Sequence, residues 1–386
     1  MKYIIIGNGA AGMAAAEAIR DKDPEGEIVI YTSEDRYHYS RPRIIEYLNG
    51  TLPGEKLTIR GKEFYEKKNL RLVKPASIEA IDPLGRTVSL RGGTLDHFDR
   101  LIIATGASAF RPPVEGAELD SVFTLRTIDD ADRILARCAS GKKVAVLGGG
   151  LLGIETAANL AVAGMKTTIV EMFDRLLPRQ LDAEAASVLQ SMLEKKGLRF
   201  LLGKQALAIR KNGEASALIF RDGSSIEADI IVFSAGIVSN VELARGAGIL
   251  CDRGIVVDEH METAIPGIFA AGDAAQFGGR VYGLWPVARE QGGIAGRNAA
   301  GEEATYSGSP VSVKLKVSGI ELVSLGSIEA GEGVSIVTKR GDECFKRLFL
   351  KEGRLAGAIL IGDVSAFTGL QKLLKSGEIV GEPGSL

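Results

Sequence analysis

Cysteine and histidine are scarce in this 386-residue chain, with three of each. Cys138, Cys251 and Cys344 lie far apart with no C-x-x-C or similarly close pair, which excludes a zinc site, an iron-sulfur cluster and a local redox disulfide built from neighbouring thiols. His38, His97 and His260 are equally scattered and form neither a metal box nor a triad, so no metal site is expected. A bias of charge is missing too: the net charge is -2, which argues against a nucleic-acid surface or an anionic-membrane surface. No apolar run approaches the ~18 residues of a membrane helix. No charged-then-apolar leader precedes the first strand residues at Tyr3, so a cytoplasmic protein is expected.

What the chain has in quantity is glycine, 48 residues, with 45% hydrophobic content; that is too much glycine for a helical bundle and enough apolar surface for two or three domains. The glycines are organised. Strand residues Tyr3–Ile6 run into Gly7-Asn8-Gly9-Ala10-Ala11-Gly12, an alanine-rich helix to about Arg20, and a second strand Glu27–Tyr31, one β-α-β unit. The same order recurs at Lys143–Leu147, Gly148-Gly149-Gly150-Leu151-Leu152-Gly153, a helix to about Ala163, and Thr167–Glu171. Each copy continues into a hairpin, around Asp82–Gly85 and Lys211–Gly213. Each closes with an apolar strand ending in glycine, Leu101-Ile102-Ile103-Ala104-Thr105-Gly106 and Ile230–Gly236. A lone G-x-G-x-x-G is a weak signal, but repetition of the whole subdomain makes two dinucleotide-binding folds the reading.

In each loop the first glycine makes the tight turn, the second admits a pyrophosphate and the third allows close helix packing, with the helix N-terminus facing the phosphates. At the end of the second strand of the second copy stands Glu171, a carboxylate that accepts both ribose hydroxyls and repels a 2′-phosphate, so this site should prefer NADH to NADPH. In the first copy Glu34 is the nearest carboxylate able to reach an adenosine ribose. Between the copies, consecutive prolines in Phe110-Arg111-Pro112-Pro113 suit an extended crossover, and Thr127-Ile128-Asp129-Asp130 reads as a capped helix start with Thr127 as N-cap. After about Ser309 the pattern changes to strands at Val311–Val317, Gly333–Val337, Arg347–Leu350 and Leu355–Ile361, then a short helix near Phe367–Lys375.

Thr263–Asp273, a turn and short apolar strand ending in Gly272-Asp273, resembles the second FAD fingerprint of two-dinucleotide flavoprotein reductases, as does Ala104-Thr105-Gly106. With Tyr39-Ser40-Arg41-Pro42, Thr124–Thr127, Gly148–Glu155 and Gly236–Ala244, the chain resembles the pyridine nucleotide-disulfide oxidoreductase family over nearly its whole length. Within that family it is most similar to NADH:rubredoxin oxidoreductases and the flavin domains of NADH-dependent nitrite reductases. The resemblance implies tightly bound, non-covalent FAD on the first copy, NADH on the second, Asp273 accepting ribityl hydroxyls, and Glu155 beside the nicotinamide. It also implies Arg41 and Pro42 near the isoalloxazine, with Arg41 favouring the anionic reduced ring, pairing structurally or binding an FAD phosphate. Leu284-Trp285-Pro286 opens a helix whose N-terminus either faces the flavin or simply packs closely on its sheet; Trp285 shields the flavin or fills an interface. Tyr37–Arg43, where disulfide reductases of the family carry a thiol, has none, and no histidine follows His260, so disulfide reduction is not expected.

The expected architecture is α/β and glutathione-reductase-like, with two Rossmann-like domains, each carrying an antiparallel insertion, and a small α+β domain. The FAD domain covers 1–112 and 240–308, the NADH domain 113–239 and the C-terminal domain 309–386. The expected activity is transfer of hydride from NADH to FAD, and of electrons onward to rubredoxin or a ferredoxin-like carrier. Dioxygen as acceptor, a reductase subunit of a larger complex and a non-enzymatic nucleotide sensor are the alternatives, and oligomeric state is left open.

Overall fold

A computed structural model describes residues 1–213, 215–309, 312–317, 319–341 and 343–381. The chain divides into two compact units, one of 1–44, 52–108 and 236–309, the other of 45–51, 109–235 and 310–386.

In the first unit Lys2–Ile6, an unbroken run of apolar residues after the lysine, is the middle strand of a five-stranded parallel sheet in the order Ile268–Ala270, Arg100–Ile103, Lys2–Ile6, Glu27–Tyr31, Leu70–Val73. Continuous rather than alternating hydrophobicity is what a strand covered on both faces requires. Ile4, Ile5, Val29, Ile30, Leu101, Ile102 and Ile103 are all fully buried, each such side chain stabilising the unit by about 1.5–3 kcal/mol. The Ala10–Lys22 helix covers one face and packs on the Trp285–Ala299 helix at a distance only glycine permits. A Cβ on Gly292 would lie 2.1 Å from the Ala11 carbonyl oxygen, and one on Gly296 2.5 Å from that of Ala15. A three-stranded antiparallel sheet, Ile78–Asp82, Thr87–Leu90 and Leu95–His97, is inserted before Arg100–Ile103, and its first turn falls at Asp82–Gly85 as the sequence predicts.

The second unit repeats this plan. Its parallel sheet runs Val122–Thr124, Ile230–Phe233, Lys143–Leu147, Lys166–Val170, Arg199–Leu201, with an antiparallel insertion of Ala206–Asn212, Ala215–Phe220 and Ser225–Ala228. The Ile128–Leu135 helix begins with the expected cap: Thr127 Oγ1 accepts from the Asp130 N–H at 3.1 Å while the Asp130 carboxylate accepts from the Thr127 N–H at 3.0 Å.

The same unit holds a five-stranded antiparallel sheet ordered Ser312–Val317, Ile320–Gly326, Arg354–Ile361, Phe345–Lys351, Val334–Arg340, closed by the Phe367–Ser376 helix. Of the strand expected at Val311–Val317, Val311 lies outside the described residues. The strand Ile320–Gly326, second in this sheet and buried from Leu322 to Leu325, is not among the strands expected from the sequence. It escapes a search for alternation because both of its faces are covered and Ser324 is buried with its apolar neighbours. Arg347 in this sheet donates to Asp182 at 2.5 Å and to Glu184, tying the sheet to the Ala183–Glu194 helix that Asp182 caps.

Candidate functional site

The two glycine loops have the same steric skeleton. Gly7 and Gly148 have φ of +116° and +125°, and a Cβ on either would stand 2.1 Å from a carbonyl oxygen of a neighbouring strand end, Ala104 for Gly7 and Ser234 for Gly148. A Cβ on Gly12 would lie 1.9 Å from the Gly7 oxygen, and one on Gly153 2.0 Å from the Gly148 oxygen. The middle glycines differ in kind. Gly9 and Gly150 sit in extended backbone with φ of -81° and -79°, which any residue adopts, and an added Cβ would meet nothing within 4 Å. Nothing in the protein requires glycine there, and each stands as the cap of a helix whose first residues, Ala10-Ala11 and Leu151-Leu152, leave N–H groups facing outward. That open cradle in front of a helix start is the space a pyrophosphate fills, so both loops fit a dinucleotide.

Around the first loop the parallel strands deliver the other expected residues to the carboxyl edge of the sheet. Ala104-Thr105-Gly106 follows Arg100–Ile103, and Gly272-Asp273 follows Ile268–Ala270. Thr105 Oγ1 donates to Asn240 O at 2.8 Å and Asn240 Nδ2 returns a bond to Thr105 O at 2.9 Å, so the stretch beginning at Gly236 is fastened to this edge. The Gly272-Asp273 turn is gripped from both sides: Gly272 N–H donates to Gln291 Oε1 at 3.0 Å, and Ser239 Oγ donates to Asp273 O at 2.7 Å. Sequence reasoning named neither Gln291 nor Ser239 as a site residue; a buried glutamine, 1% exposed, in a glycine-rich helix was the available signal.

Glu34 and Arg41 come together as an ion pair. The Arg41 guanidinium donates to Glu34, lies 5.1 Å from the centroid of the Tyr39 ring and feels the negative charge of Asp273, while the Tyr39 hydroxyl donates to Glu34 at 2.6 Å. Of the roles left open for Arg41, the structural pairing is therefore present. Pro42 lies in the Arg41–Arg43 turn. Trp285 begins its helix with Pro286 in the first turn, partly buried against the core of the first unit.

Around the second loop Glu171 is 7% exposed, its two oxygens accepting from the Gly149 N–H at 2.6 Å and the Phe173 N–H at 2.9 Å. Each oxygen keeps a further lone pair for another donor. Arg175, the cation best placed in sequence to receive a 2′-phosphate, donates instead to its neighbour Asp174 at 3.0 Å. Glu155, one turn into the Leu151–Val162 helix, has no ion pair or side-chain hydrogen bond among the described residues, and burial pushes its carboxyl up to about 7. None of the three cysteines is in a disulfide, and among the described residues no cluster of His, Cys, Asp and Glu suits a metal ion. Nor is any helix among them long and apolar enough to cross a membrane.

Two mononucleotide-type sheets in tandem, each with this loop, define a pyridine-nucleotide-linked oxidoreductase fold. The chain belongs to the pyridine nucleotide-disulphide oxidoreductase family, whose model matches residues 1–292, and residues 310–378 match the rubredoxin NAD+ reductase C-terminal domain. Membership implies use of FAD and NAD(H). The chain is 37% identical over 369 residues to the nitrite reductase [NAD(P)H] of Bacillus subtilis, covering 94% of this chain and 46% of that protein. It is 33% identical over 375 residues to the NADH-rubredoxin oxidoreductase of Clostridium acetobutylicum, covering 97% and 94%. The crystal structure of NADH:rubredoxin oxidoreductase from that organism superposes with a TM-score of 0.85 at 32% identity over 100% of this chain and 97% of that one. The chain thus spans about half the length of the first curated relatives and nearly all of the clostridial one.

Proposed function

We propose that this protein is an FAD-dependent NADH oxidoreductase that passes electrons to a small iron-sulfur carrier of the rubredoxin or ferredoxin type, without a redox-active cysteine. The observation that carries the reading is the pair of open glycine cradles, at Gly9 and Gly150, on two sheets of the same plan. FAD held there would supply the chemistry needed between a two-electron donor and a one-electron carrier, accepting hydride from NADH and releasing electrons singly.

The residues of this chain supply binding and orientation. The first loop and the helix start behind it receive the FAD pyrophosphate, Glu34 the adenosine ribose and Asp273 the ribityl chain, and the bond from Gly272 to Gln291 holds the turn that carries Asp273. The Arg41 guanidinium and the Tyr39 hydroxyl hold the Glu34 carboxylate in place, where it accepts ribose hydroxyls. Glu171, gripped by two backbone N–H groups, selects NADH: a 2′-phosphate would meet a carboxylate that has no room to retreat. Glu155 positions the nicotinamide, and its shift toward neutrality lets it donate as well as accept. The absence of any cysteine from Tyr37–Arg43 supports direct transfer from flavin to carrier.

The test is an anaerobic titration of the FAD-loaded protein with NADH, followed by reoxidation of the bleached flavin. Bleaching with about one equivalent of NADH and fast reoxidation by rubredoxin but not by air is the expected result. Reoxidation by air alone would make the protein an oxidase, and failure to bleach would overturn the Glu171 assignment and the enzyme reading.

A further inference from the structure

His38 takes no part in the proposed nucleotide contacts. It lies on the short His38–Tyr39 strand, 5% exposed, and makes two contacts that lead to different elements of the first unit. Its Nδ1 is 3.0 Å from the carbonyl oxygen of Asn8, the residue between Gly7 and Gly9. A carbonyl only accepts, so Nδ1 carries the proton. Burial, helped by the charges of Arg60 and Arg289 and opposed by the Asn8 bond and Glu17, pushes the imidazole below its usual range. The face of the ring stacks on the indole of Trp285, with centroids 5.7 Å apart and planes 23° from parallel. Trp285 is the first residue of the helix whose Gly292 and Gly296 lock against Ala11 and Ala15.

Asn8 is held a second time from the same side. Its Oδ1 accepts from the Tyr65 hydroxyl at 2.8 Å, and that hydroxyl in turn accepts from the His38 N–H at 3.2 Å. Tyr65 is 3% exposed, and burial raises its phenol to about 12, so it remains a donor at all working pH values. The open loop in front of Gly9 therefore does not stand on its own turn geometry alone: both oxygens of Asn8 are engaged by groups that close around His38.

We propose that His38 is a positioning residue of the FAD site, fixing the glycine loop through Asn8 and the start of the following long helix through Trp285, so that the two walls of the site keep their spacing. The inference rests on the reading of the first loop as the FAD site. Its two contacts can be removed separately, because asparagine keeps an N–H donor but has no ring face, whereas phenylalanine keeps a ring face but has no donor.

The experiment uses FAD-loaded wild type, His38→Asn and His38→Phe, with equal melting temperatures as the check on folding. It measures the FAD dissociation constant, the rate of flavin bleaching by NADH, and the emission of Trp285, the one tryptophan of the chain. Loss of the Asn8 bond in His38→Phe is expected to weaken FAD binding by about three- to tenfold, the range one hydrogen bond spans, with Trp285 emission unchanged. Loss of the stack in His38→Asn is expected to leave FAD affinity within about twofold of wild type, to shift Trp285 emission to the red with greater access to acrylamide, and to slow bleaching. Wild-type values for FAD affinity in His38→Phe together with wild-type emission in His38→Asn would overturn the proposal while leaving the FAD reading intact. A wild-type chain that takes up no FAD would overturn both.

Discussion

The two nucleotide loops share their backbone and differ in how each treats its carboxylate. In the first, Glu34 stands three residues beyond Tyr31, which ends its strand, and is held by side chains, the Arg41 guanidinium and the Tyr39 hydroxyl. In the second, Glu171 directly follows Val170 and is held by backbone, the N–H groups of Gly149 and Phe173. A carboxylate held by side chains can change partners when a ligand arrives; one held by backbone stays where the fold puts it. The difference accords with the proposed roles, a retained cofactor at the first loop and an exchanging nucleotide at the second.

The largest effect should come from separating the two kinds of glycine. Gly153→Ala puts a Cβ 2.0 Å from a backbone oxygen that cannot yield, and its cost should reach the upper end of the about 1–3 kcal/mol typical of overpacking, read as a drop in denaturation midpoint. Gly150→Val should lower the midpoint much less, since the backbone there is extended and an added Cβ meets nothing within 4 Å. It should nevertheless cut the rate of flavin reduction at fixed NADH on the order of 100-fold by displacing the nucleotide. A Gly150→Val protein that is reduced as fast as wild type would remove the second loop from the nucleotide site.

A smaller and directional effect distinguishes the carboxylates. Glu171→Ala leaves two N–H groups without their acceptor in a site that is 7% exposed, and each orphan costs about 1–3 kcal/mol. Glu34→Ala takes an acceptor from Arg41 and Tyr39, whose side-chain donors, unlike backbone N–H groups, can rotate toward other acceptors, and should cost less, about 1 kcal/mol. Urea melts of the two variants check the order; equal losses would mean that backbone and side-chain clamping are equivalent here.

These distinctions bear on what the amino-acid order discloses. The two β-α-β units, the insertion hairpins, the Thr127 cap and the long glycine-rich helix are legible because each depends on residues close in sequence: a run of Ile and Val, a glycine that must turn, an N-cap threonine three residues before an aspartate. Glu171 is legible for the same reason, following its strand by a single residue. The pairing of Glu34 with Arg41, the grip of Gln291 on Gly272 and the meeting of His38 with Asn8 and Trp285 are not, since they join positions 7, 19, 30 and 247 residues apart, or bring together groups whose types alone name no partner. The Ile320–Gly326 strand is hidden for a third reason: buried from Leu322 to Leu325, it lacks the alternation by which half-buried strands are known.

The smallest effect concerns Glu155, two residues after Gly153, where the first loop has Ala14 two residues after Gly12. Its carboxyl is pushed from 4.5 to about 7 by burial without an opposing charge. The folded protein therefore holds this proton through a range in which the unfolded chain releases it. The contribution of the protonated group to stability is complete below about 4.5 and is lost as pH rises through about 7, so the sign is a fall in stability with rising pH across that window. Glu155→Gln keeps the shape and removes the titration, so its melting temperature should fall less than that of wild type between about pH 5 and 7.5. Because the same group is proposed to stand beside the nicotinamide, the bleaching rate should carry the same inflection in wild type and lose it in Glu155→Gln. An inflection in stability without one in rate would keep the burial and remove Glu155 from the hydride-transfer site.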